Sequence, residues 1–135
     1  MADKSVLVLG GGVGGVVTAV ELRKKLPKQH KIMLVDREPE HVFAPSLLWL
    51  MVGMREPKQI SRPLDRLQRK GIEVVHGEIE RIEPEAKKVT VGGKSLSADY
   101  LVVSLGADLA PEAIPGLSEA GHNFYTLQGA QGLRA

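Results

Sequence analysis

A glycine-rich segment near the start of the chain, GGGVGG at residues 10–15, has the composition of a phosphate-binding loop. Gly10, Gly12 and Gly15 occupy the three glycine positions of a G-x-G-x-x-G pattern. Between a strand and a helix, the first glycine permits the tight turn and the second lets a pyrophosphate approach, while the third allows close helix–sheet packing. The phosphates then bind the free N–H groups at the helix start. The pattern predicts a dinucleotide site formed by Gly10, Gly12, Val13, Gly14 and Gly15.

An acidic residue follows at the distance that this pattern requires. Asp36 lies 21 residues after Gly15, at the end of a second apolar run. An acid in this position accepts a hydrogen bond from a ribose hydroxyl, whether the dinucleotide is FAD or NAD. Two other interpretations stay open, a cap at the end of the strand and a surface ion pair with Arg37. Arg37 itself is compatible with a ribose 2′-phosphate or with simple solvation.

The chain does not show the pattern of a catalytic or metal site. It contains no cysteine, which excludes disulfides and thiolate chemistry within these residues. The four histidines are scattered rather than spaced as metal ligands. Ser104 has no histidine near it in sequence and fits no nucleophile motif. We therefore predict neither a catalytic residue nor a metal ligand here.

Composition and charge exclude several other classes of protein. Eighteen Lys and Arg against sixteen Asp and Glu leave a net charge of +2, far from the basic excess of a nucleic-acid-binding domain. A hydrophobic fraction of 43% over 135 residues is typical of one globular domain. The longest apolar stretch, SLLWLMV, is far shorter than a membrane span, and no signal peptide precedes the first apolar run. These features predict a cytoplasmic domain without nucleic-acid partners.

Four short apolar runs predict the strands that position the loop and the acid. They lie at residues 5–9, 32–35, 72–76 and 100–104, and such runs are typical of strands buried on both faces of a parallel sheet. A mostly apolar helix over residues 16–26 follows the glycine segment, so that the chain begins with a βαβ unit. The predicted fold class is α/β, a Rossmann-like domain with a parallel sheet.

The segments between these runs predict smaller elements. Residues 37–59 contain three prolines and are predicted to be irregular. Ser61 then has the position of an N-cap for a helix that ends at Gly71. A small antiparallel β-meander is predicted from three alternating segments at residues 78–82, 88–91 and 95–97.

Together these motifs resemble the flavoproteins with two dinucleotide-binding domains, the superfamily of glutathione reductase. The VLVL run and its glycines are similar to their FAD fingerprint. The segment DYLVVSLG at residues 99–106 is similar to their strand ending in Ala-Thr-Gly, with Ser-Leu in place of Ala-Thr. VHGEI at residues 75–79 and IPG at residues 114–116 continue the resemblance. It implies one FAD-binding domain over residues 1–135, the N-terminal part of a longer flavoprotein.

The same resemblance implies which residues contact the cofactor. The glycine loop binds the pyrophosphate, and the remaining contacts are with the adenosine and with the flavin end. The resemblance implies that Asp36 and Arg37 contact the adenosine ribose and that the backbone of Glu78 and Ile79 contacts the adenine. It also implies that Leu105 and Gly106 lie at the flavin end.

A second segment resembles one family within this superfamily, the sulfide:quinone oxidoreductases. Residues 43–55, FAPSLLWLMVGMR, are similar to the F-x-P-S-x-x-W-x-x-V-G-x-R stretch of these enzymes. The resemblance implies that Pro45 lies beside the flavin ring, and the alternative is a buried apolar loop with Trp49 as a packing residue. Relatives that attach FAD covalently do so through a cysteine in this region. The absence of cysteine therefore implies non-covalent FAD.

The implied function is that of the FAD-binding part of an enzyme that oxidises sulfide and passes the electrons through FAD to a quinone. In this family the redox cysteines lie in the part of the protein that follows Ala135. The alternatives are a type II NADH:quinone oxidoreductase and a nucleotide-binding module without catalysis. The resemblance implies membrane contact only through parts outside this chain, at the cytoplasmic or periplasmic face, and leaves homo-oligomerisation open.

Overall fold

The computed structural model describes residues 2–134, which form two compact units. The first unit runs to His41 and continues over Pro63–Gly106, and the second contains Val42–Arg62 and the residues from Ala107 onward. The strands are β1 (Ser5–Leu9), β2 (Lys31–Asp36), β3 (Glu40–Val42), β4 (Ser61–Pro63), β5 (Glu73–His76), β6 (Ile79–Glu83), β7 (Lys88–Val91), β8 (Lys94–Ser97) and β9 (Tyr100–Val103). The helices are α1 (Val13–Lys25), α2 (Leu47–Met51), α3 (Pro57–Ile60), α4 (Leu117–Ala120) and α5 (Leu127–Gly132).

A four-stranded parallel sheet is the centre of the first unit. Its strand order is β5-β2-β1-β9, which places β1 between β2 and β9. The first, second, third and fourth parallel strands along the chain thus stand in the order 3-2-1-4, as in the Rossmann fold. The predicted α/β class is confirmed. Because all four strands run in parallel, the loops that follow them meet at one edge of the sheet.

Both faces of this sheet are covered, which explains the continuous apolar runs of its two central strands, β1 and β2. Helix α1 and a 3₁₀ segment, Leu64–Lys70, pack on one face, where Val8, Ala19 and Leu34 are buried. The antiparallel sheet β6-β7-β8 packs on the other face, with Val89 and Val91 in the core. This three-stranded sheet confirms the predicted meander.

Helix α1 begins at Val13, three residues before the predicted start, because the end of the glycine segment is already helical. Its buried residues, Gly15 and Ala19, are small and let the helix lie close to the sheet. At its other end the Arg23 guanidinium donates hydrogen bonds to the carbonyls of Leu26 and His30 at 2.9 and 2.8 Å. These bonds complete the helix terminus just before the turn into β2.

The second unit has its own small core, formed by Leu47, Leu50, Ile60 and Ala130. The expectation that residues 37–59 are irregular was wrong, because α2 and α3 lie within them. Helix α2 is the apolar run itself, and α3 begins with a proline at its first position, where the missing N–H costs nothing. None of the helices in residues 2–134 combines the length and apolarity that crossing a bilayer requires.

The predicted role of Ser61 was also wrong. Ser61 is buried and begins strand β4, which pairs with β3, instead of capping a helix. The reason is Pro63, because a proline pushes the residue before it towards extended backbone, and that residue, Arg62, would be the first residue of a helix capped by Ser61. The helical segment starts only at Leu64, has 3₁₀ geometry, and ends at Gly71 with φ +80°, the residue predicted to end it.

Candidate dinucleotide-binding site

The turn after β1 requires two of its glycines for purely structural reasons. Gly10 has φ +101°, and a β-carbon there would lie 2.8 Å from the carbonyl carbon of Ser104. Gly15 is buried, and a β-carbon there would overlap the carbonyl oxygen of Gly10 and lie 3.0 Å from Ser104 Oγ. Any side chain at these positions would push β1, α1 and the end of β9 apart. These two glycines therefore build the loop.

Gly12 is different, because the fold does not require a glycine there. Its backbone has φ −69° and ψ −173°, which any residue adopts, and nothing lies within 4 Å of the place a β-carbon would take. Gly12 is exposed and stands as N-cap of the 13-residue helix α1, whose first N–H groups lack partners within the helix. An open space at a helix N-terminus fits a pyrophosphate, which would occupy the volume that a side chain would fill.

Asp36, at the end of β2, joins this loop through its carboxylate. One oxygen, Oδ2, accepts a hydrogen bond from the backbone N–H of Gly11, and the other, Oδ1, accepts one from Glu38 at 2.7 Å. The side chain is half-buried at the carboxyl edge of the sheet. Asp36 thus acts as a strand-end cap, and because a carboxylate has about four acceptor positions, about two remain for ribose hydroxyls. The cap and the ribose contact are compatible roles.

Two further residues, Gly11 and His41, help to form the site, and the sequence does not single them out. Gly11 is buried, and a β-carbon there would lie 2.6 Å from Leu64 Cδ1. Its carbonyl oxygen is 2.8 Å from Nδ1 of His41, just after β3 begins. This contact joins residues 30 positions apart and depends on where the segment after β2 folds back. A scattered histidine carries no sequence signal for it.

Arg37 and Glu78 lie together beside Asp36. Strands β2 and β5 pair with Asp36 opposite His76, and the N–H of Gly77 donates to the Asp36 carbonyl at 3.1 Å. The Arg37 guanidinium is 3.5 Å from the Glu78 carboxylate and 3.6 Å from that of Glu38, so that it pairs with these two acids rather than with Asp36. The side chains of Arg37, Glu38 and Glu78 are exposed, and ion pairs of exposed groups contribute little stability. Ile79, half-buried, begins β6 directly after Glu78.

Leu105 and Gly106 follow β9, on the other side of the glycine loop. The N–H and the hydroxyl of Ser104 both donate to the carbonyl of Leu9, at 2.9 and 2.7 Å, which ties this turn to the end of β1. The backbone then turns at Gly106, which has φ +78°. Leu105 is half-exposed and lies next to Gly10. The turn is thus exposed and lies beside the glycine loop.

Pro45 belongs to the second unit, whereas the other predicted residues belong to the first. It is exposed in a 3₁₀ segment, Ala44–Ser46, and the neighbouring Ser46 hydroxyl is buried and accepts a hydrogen bond from Arg55 at 2.8 Å. Trp49 is 45% exposed. The segment is therefore only partly buried, since Leu47 and Leu50 lie in the core of the second unit while Pro45 and Trp49 are exposed.

The chain is similar to known proteins over most of its length. The model of the pyridine nucleotide-disulphide oxidoreductase family matches residues 4–135. A sulfide-quinone reductase of Aquifex aeolicus is 42% identical over 108 residues, which cover 78% of this chain and 25% of that protein. A demethylphylloquinone reductase of Synechocystis is 32% identical over 142 residues, 98% of this chain and 35% of that protein.

The same similarity is found among solved structures. The crystal structure of the sulfide:quinone oxidoreductase of Aquifex aeolicus superposes with a TM-score of 0.91 at 36% identity, covering 97% of this chain and 30% of that chain. The present chain thus spans about a quarter to a third of the length of the curated relatives it matches. The predicted Rossmann-like FAD-domain fold is confirmed by this agreement, and the family implies a flavin cofactor.

Proposed function

Because the chain belongs to the pyridine nucleotide-disulphide oxidoreductase family, we propose that it forms the FAD-binding part of a sulfide:quinone oxidoreductase. In this role the bound flavin would supply two-electron redox chemistry between sulfide, which would be oxidised to zero-valent sulfur, and a quinone, which would take up two protons to become the quinol. The chain's own residues bind and orient the cofactor.

The observation that carries the FAD-binding role is the contrast between Gly12 and its neighbours. Gly10 and Gly15 are fully explained by contacts within the chain, whereas Gly12 faces open space at the start of α1. A dinucleotide pyrophosphate explains why a glycine stands there, since its phosphates approach the backbone closely. Asp36 offers its remaining acceptor positions at the neighbouring strand end, where the adenosine ribose would lie.

We also assign the remaining contacts with the cofactor to the residues predicted from the sequence. The pyrophosphate would bind the N–H groups of Val13 and Gly14 at the helix start. The adenine would lie against the backbone of Glu78 and Ile79. The flavin end of the cofactor would lie towards Leu105 and Gly106. Pro45 would line the flavin ring. The FAD would be non-covalent, because no cysteine is present to attach it.

Sulfide as the electron donor is supported by two observations. The sulfide-quinone reductase of Aquifex aeolicus is 42% identical, and the corresponding structure agrees over 97% of this chain. Residues 43–55 also follow the stretch found in sulfide:quinone oxidoreductases. In the whole protein we propose that redox cysteines outside these residues react with sulfide, and that membrane contact is peripheral and made by parts outside this chain.

A second candidate keeps the cofactor and changes the donor. The Synechocystis relative, matched over 98% of this chain, is named for the reduction of a quinone and not for sulfide. A type II NADH:quinone oxidoreductase would use the same FAD site, with NADH bound by a second glycine fingerprint elsewhere in the protein. The residues of the candidate site serve both enzymes equally.

The test uses the complete gene product, purified with its cofactor and kept free of oxygen. Sulfide or NADH is added, the visible flavin absorption is followed, and a soluble ubiquinone analogue is then supplied. We expect sulfide to bleach the flavin and the quinone to restore its colour. Bleaching by NADH alone would favour the second candidate, and a protein without flavin would contradict both. Acid precipitation should leave the FAD in the supernatant, whereas flavin in the pellet would contradict non-covalent binding.

A further inference from the structure

We propose that His41 is a positioning residue for the cofactor, because it orients the peptide between Gly11 and Gly12 so that the Gly12 N–H faces the pyrophosphate. This inference rests on the proposed FAD binding and adds a residue outside the glycine pattern and outside the acid after β2. It concerns only residues of the first unit.

The contacts around Gly11 support this role. Its N–H is bonded to Asp36, and its carbonyl oxygen lies 2.8 Å from Nδ1 of His41. The Leu64 side chain closes the remaining side of the residue, at 2.6 Å from the place of a β-carbon. Both backbone groups of Gly11 are therefore held by side chains of the first unit.

The geometry of the peptide bond transmits this constraint to Gly12. The peptides of residues 2–134 are trans, and in a trans peptide the carbonyl of one residue and the N–H of the next point in opposite directions. Because the Gly11 carbonyl points to His41, the Gly12 N–H points away from it. Within the described part of the chain this N–H has no acceptor. It is a donor held in one direction beside the open space at Gly12.

His41 is itself held in place by the chain around it. Its segment leaves β2 through the turn that Asp36 caps at Glu38, and the N–H of Leu64 donates to the carbonyl of Pro39 at 2.9 Å. Because a carbonyl oxygen can only accept, Nδ1 of His41 must carry the proton in this contact. Without the imidazole, the Gly11–Gly12 peptide would lose the contact that fixes its rotation.

If His41 only stabilised the fold, replacing another histidine that bonds to the backbone of this unit should weaken FAD binding to the same extent. His30 provides the matched control, because its Nδ1 accepts a hydrogen bond from the N–H of Lys4 at 3.0 Å, just before β1 and β2 begin. Both contacts join an Nδ1 to the backbone at about the same length, although Nδ1 accepts in His30 and donates in His41, and the one at His30 lies at the opposite end of the sheet. Of these two histidines, His41 alone contacts the glycine loop.

The experiment compares His41→Ala, His41→Asn and His30→Ala in the complete gene product. Asparagine places an amide N–H near the position of Nδ1, so that it can restore the donor. We measure the dissociation constant for FAD after removal and readdition of the cofactor, and the ³¹P NMR shifts of the bound pyrophosphate. Loss of one hydrogen bond should weaken FAD binding by about 2- to 10-fold in His41→Ala. His41→Asn should recover most of it, and His30→Ala should bind FAD like the wild type.

The ³¹P shifts should move in His41→Ala and stay in place in His30→Ala. The inference is wrong if His41→Ala binds FAD with unchanged affinity and unchanged ³¹P shifts, or if His30→Ala weakens binding as much. It is also wrong if the thermal unfolding of both apo His41 variants shows loss of the fold, since the role is then structural. Failure of the wild type to bind FAD would instead overturn the proposed function together with this inference.

Discussion

The carboxylate of Asp36 accepts a hydrogen bond from the N–H of Gly11, 25 residues earlier in the chain. This bond joins the end of β2 to the turn after β1, the two places where a dinucleotide would contact the sheet. The same carboxylate caps the turn at Glu38 through its second oxygen. The acid that offers acceptors to a ribose therefore also shapes the loop that would hold the phosphates.

Replacement of Asp36 should consequently affect both cofactor affinity and stability. In Asp36→Ala, loss of a charged acceptor should weaken FAD binding by about 1–3 kcal/mol, or about 5- to 150-fold. The N–H groups of Gly11 and Glu38 also lose their acceptor, which should cost about 1–2 kcal/mol of unfolding free energy in the apo protein. Asp36→Asn keeps one acceptor oxygen and should lose less.

Equilibrium titration with FAD measures the change in affinity. Urea unfolding of the apo protein measures the change in unfolding free energy. Glu73→Ala is the matched control, because Glu73 is an exposed acid of the same unit that pairs with Lys31 at 2.8 Å where β2 begins, at the end of the sheet opposite the glycine loop. We expect it to bind FAD normally. FAD affinity unchanged in Asp36→Ala would place the ribose contact elsewhere.

The glycines of the loop should separate into those that the fold needs and those that it tolerates losing. Gly15→Ala forces a β-carbon into the Gly10 carbonyl, and such overpacking should cost about 2 kcal/mol or more. Gly14→Ala places its β-carbon 3.6 Å from that of Ser104, an ordinary contact, and should change stability by less than about 1 kcal/mol. Chemical denaturation of the two apo variants measures the difference, and equal stabilities would contradict the packing described for Gly15.

Asp99 should make the stability of the first unit depend on pH. Its carboxylate accepts hydrogen bonds from Lys4 Nζ at 2.9 Å and from the N–H and hydroxyl of Ser5 at 2.8 and 3.0 Å. These bonds, chiefly that from Lys4, hold the pKa of Asp99 well below its usual range. Because the folded pKa is depressed, the stabilisation is present above the unfolded value of about 4 and is lost as pH falls towards the folded pKa.

Asp99→Asn should therefore unfold at lower temperature than the wild type near neutral pH, and the two melting curves should converge in acid. Thermal melts of the apo protein across this range test the prediction. Asp108→Asn is the control, since within residues 2–134 the Asp108 carboxylate accepts only from the N–H of the next residue. A difference between Asp99→Asn and wild type that stays constant into acid would contradict the assignment.

The sheet and the glycine loop could be predicted from sequence because they depend on local patterns. The apolar runs that became the central strands β1 and β2 are buried on both faces, and burial of that kind leaves an unbroken apolar signature, while β5 and β9 at the edges are half-buried. The positions of Gly10, Gly12 and Gly15 follow from the turn itself. The sequence alone does not distinguish the glycines that packing requires from the one that faces open space. That distinction depends on contacts with Ser104, far along the chain.

Other features depend on tertiary placement and were missed for that reason. His41 contacts Gly11 only because the chain folds back after β2, and no periodicity records this. Ser61 has the residue type of an N-cap, but pairing with β3 and the proline two residues later override that preference. Helix α3 was hidden by its proline, although Gln59 accepts a hydrogen bond from the N–H of Glu56 at 2.7 Å, a capping arrangement that the sequence EPKQ allows.

The most direct test of the account is the affinity of Gly12→Val for FAD, measured in the complete gene product beside the unfolding of its apo form. The valine side chain meets no atom of the chain within 4 Å of its β-carbon, so the apo protein should lose no more than about 1 kcal/mol. It would occupy the space assigned to the pyrophosphate, and we predict that FAD binding is abolished. A folded Gly12→Val protein that binds FAD as tightly as the wild type would contradict the phosphate site.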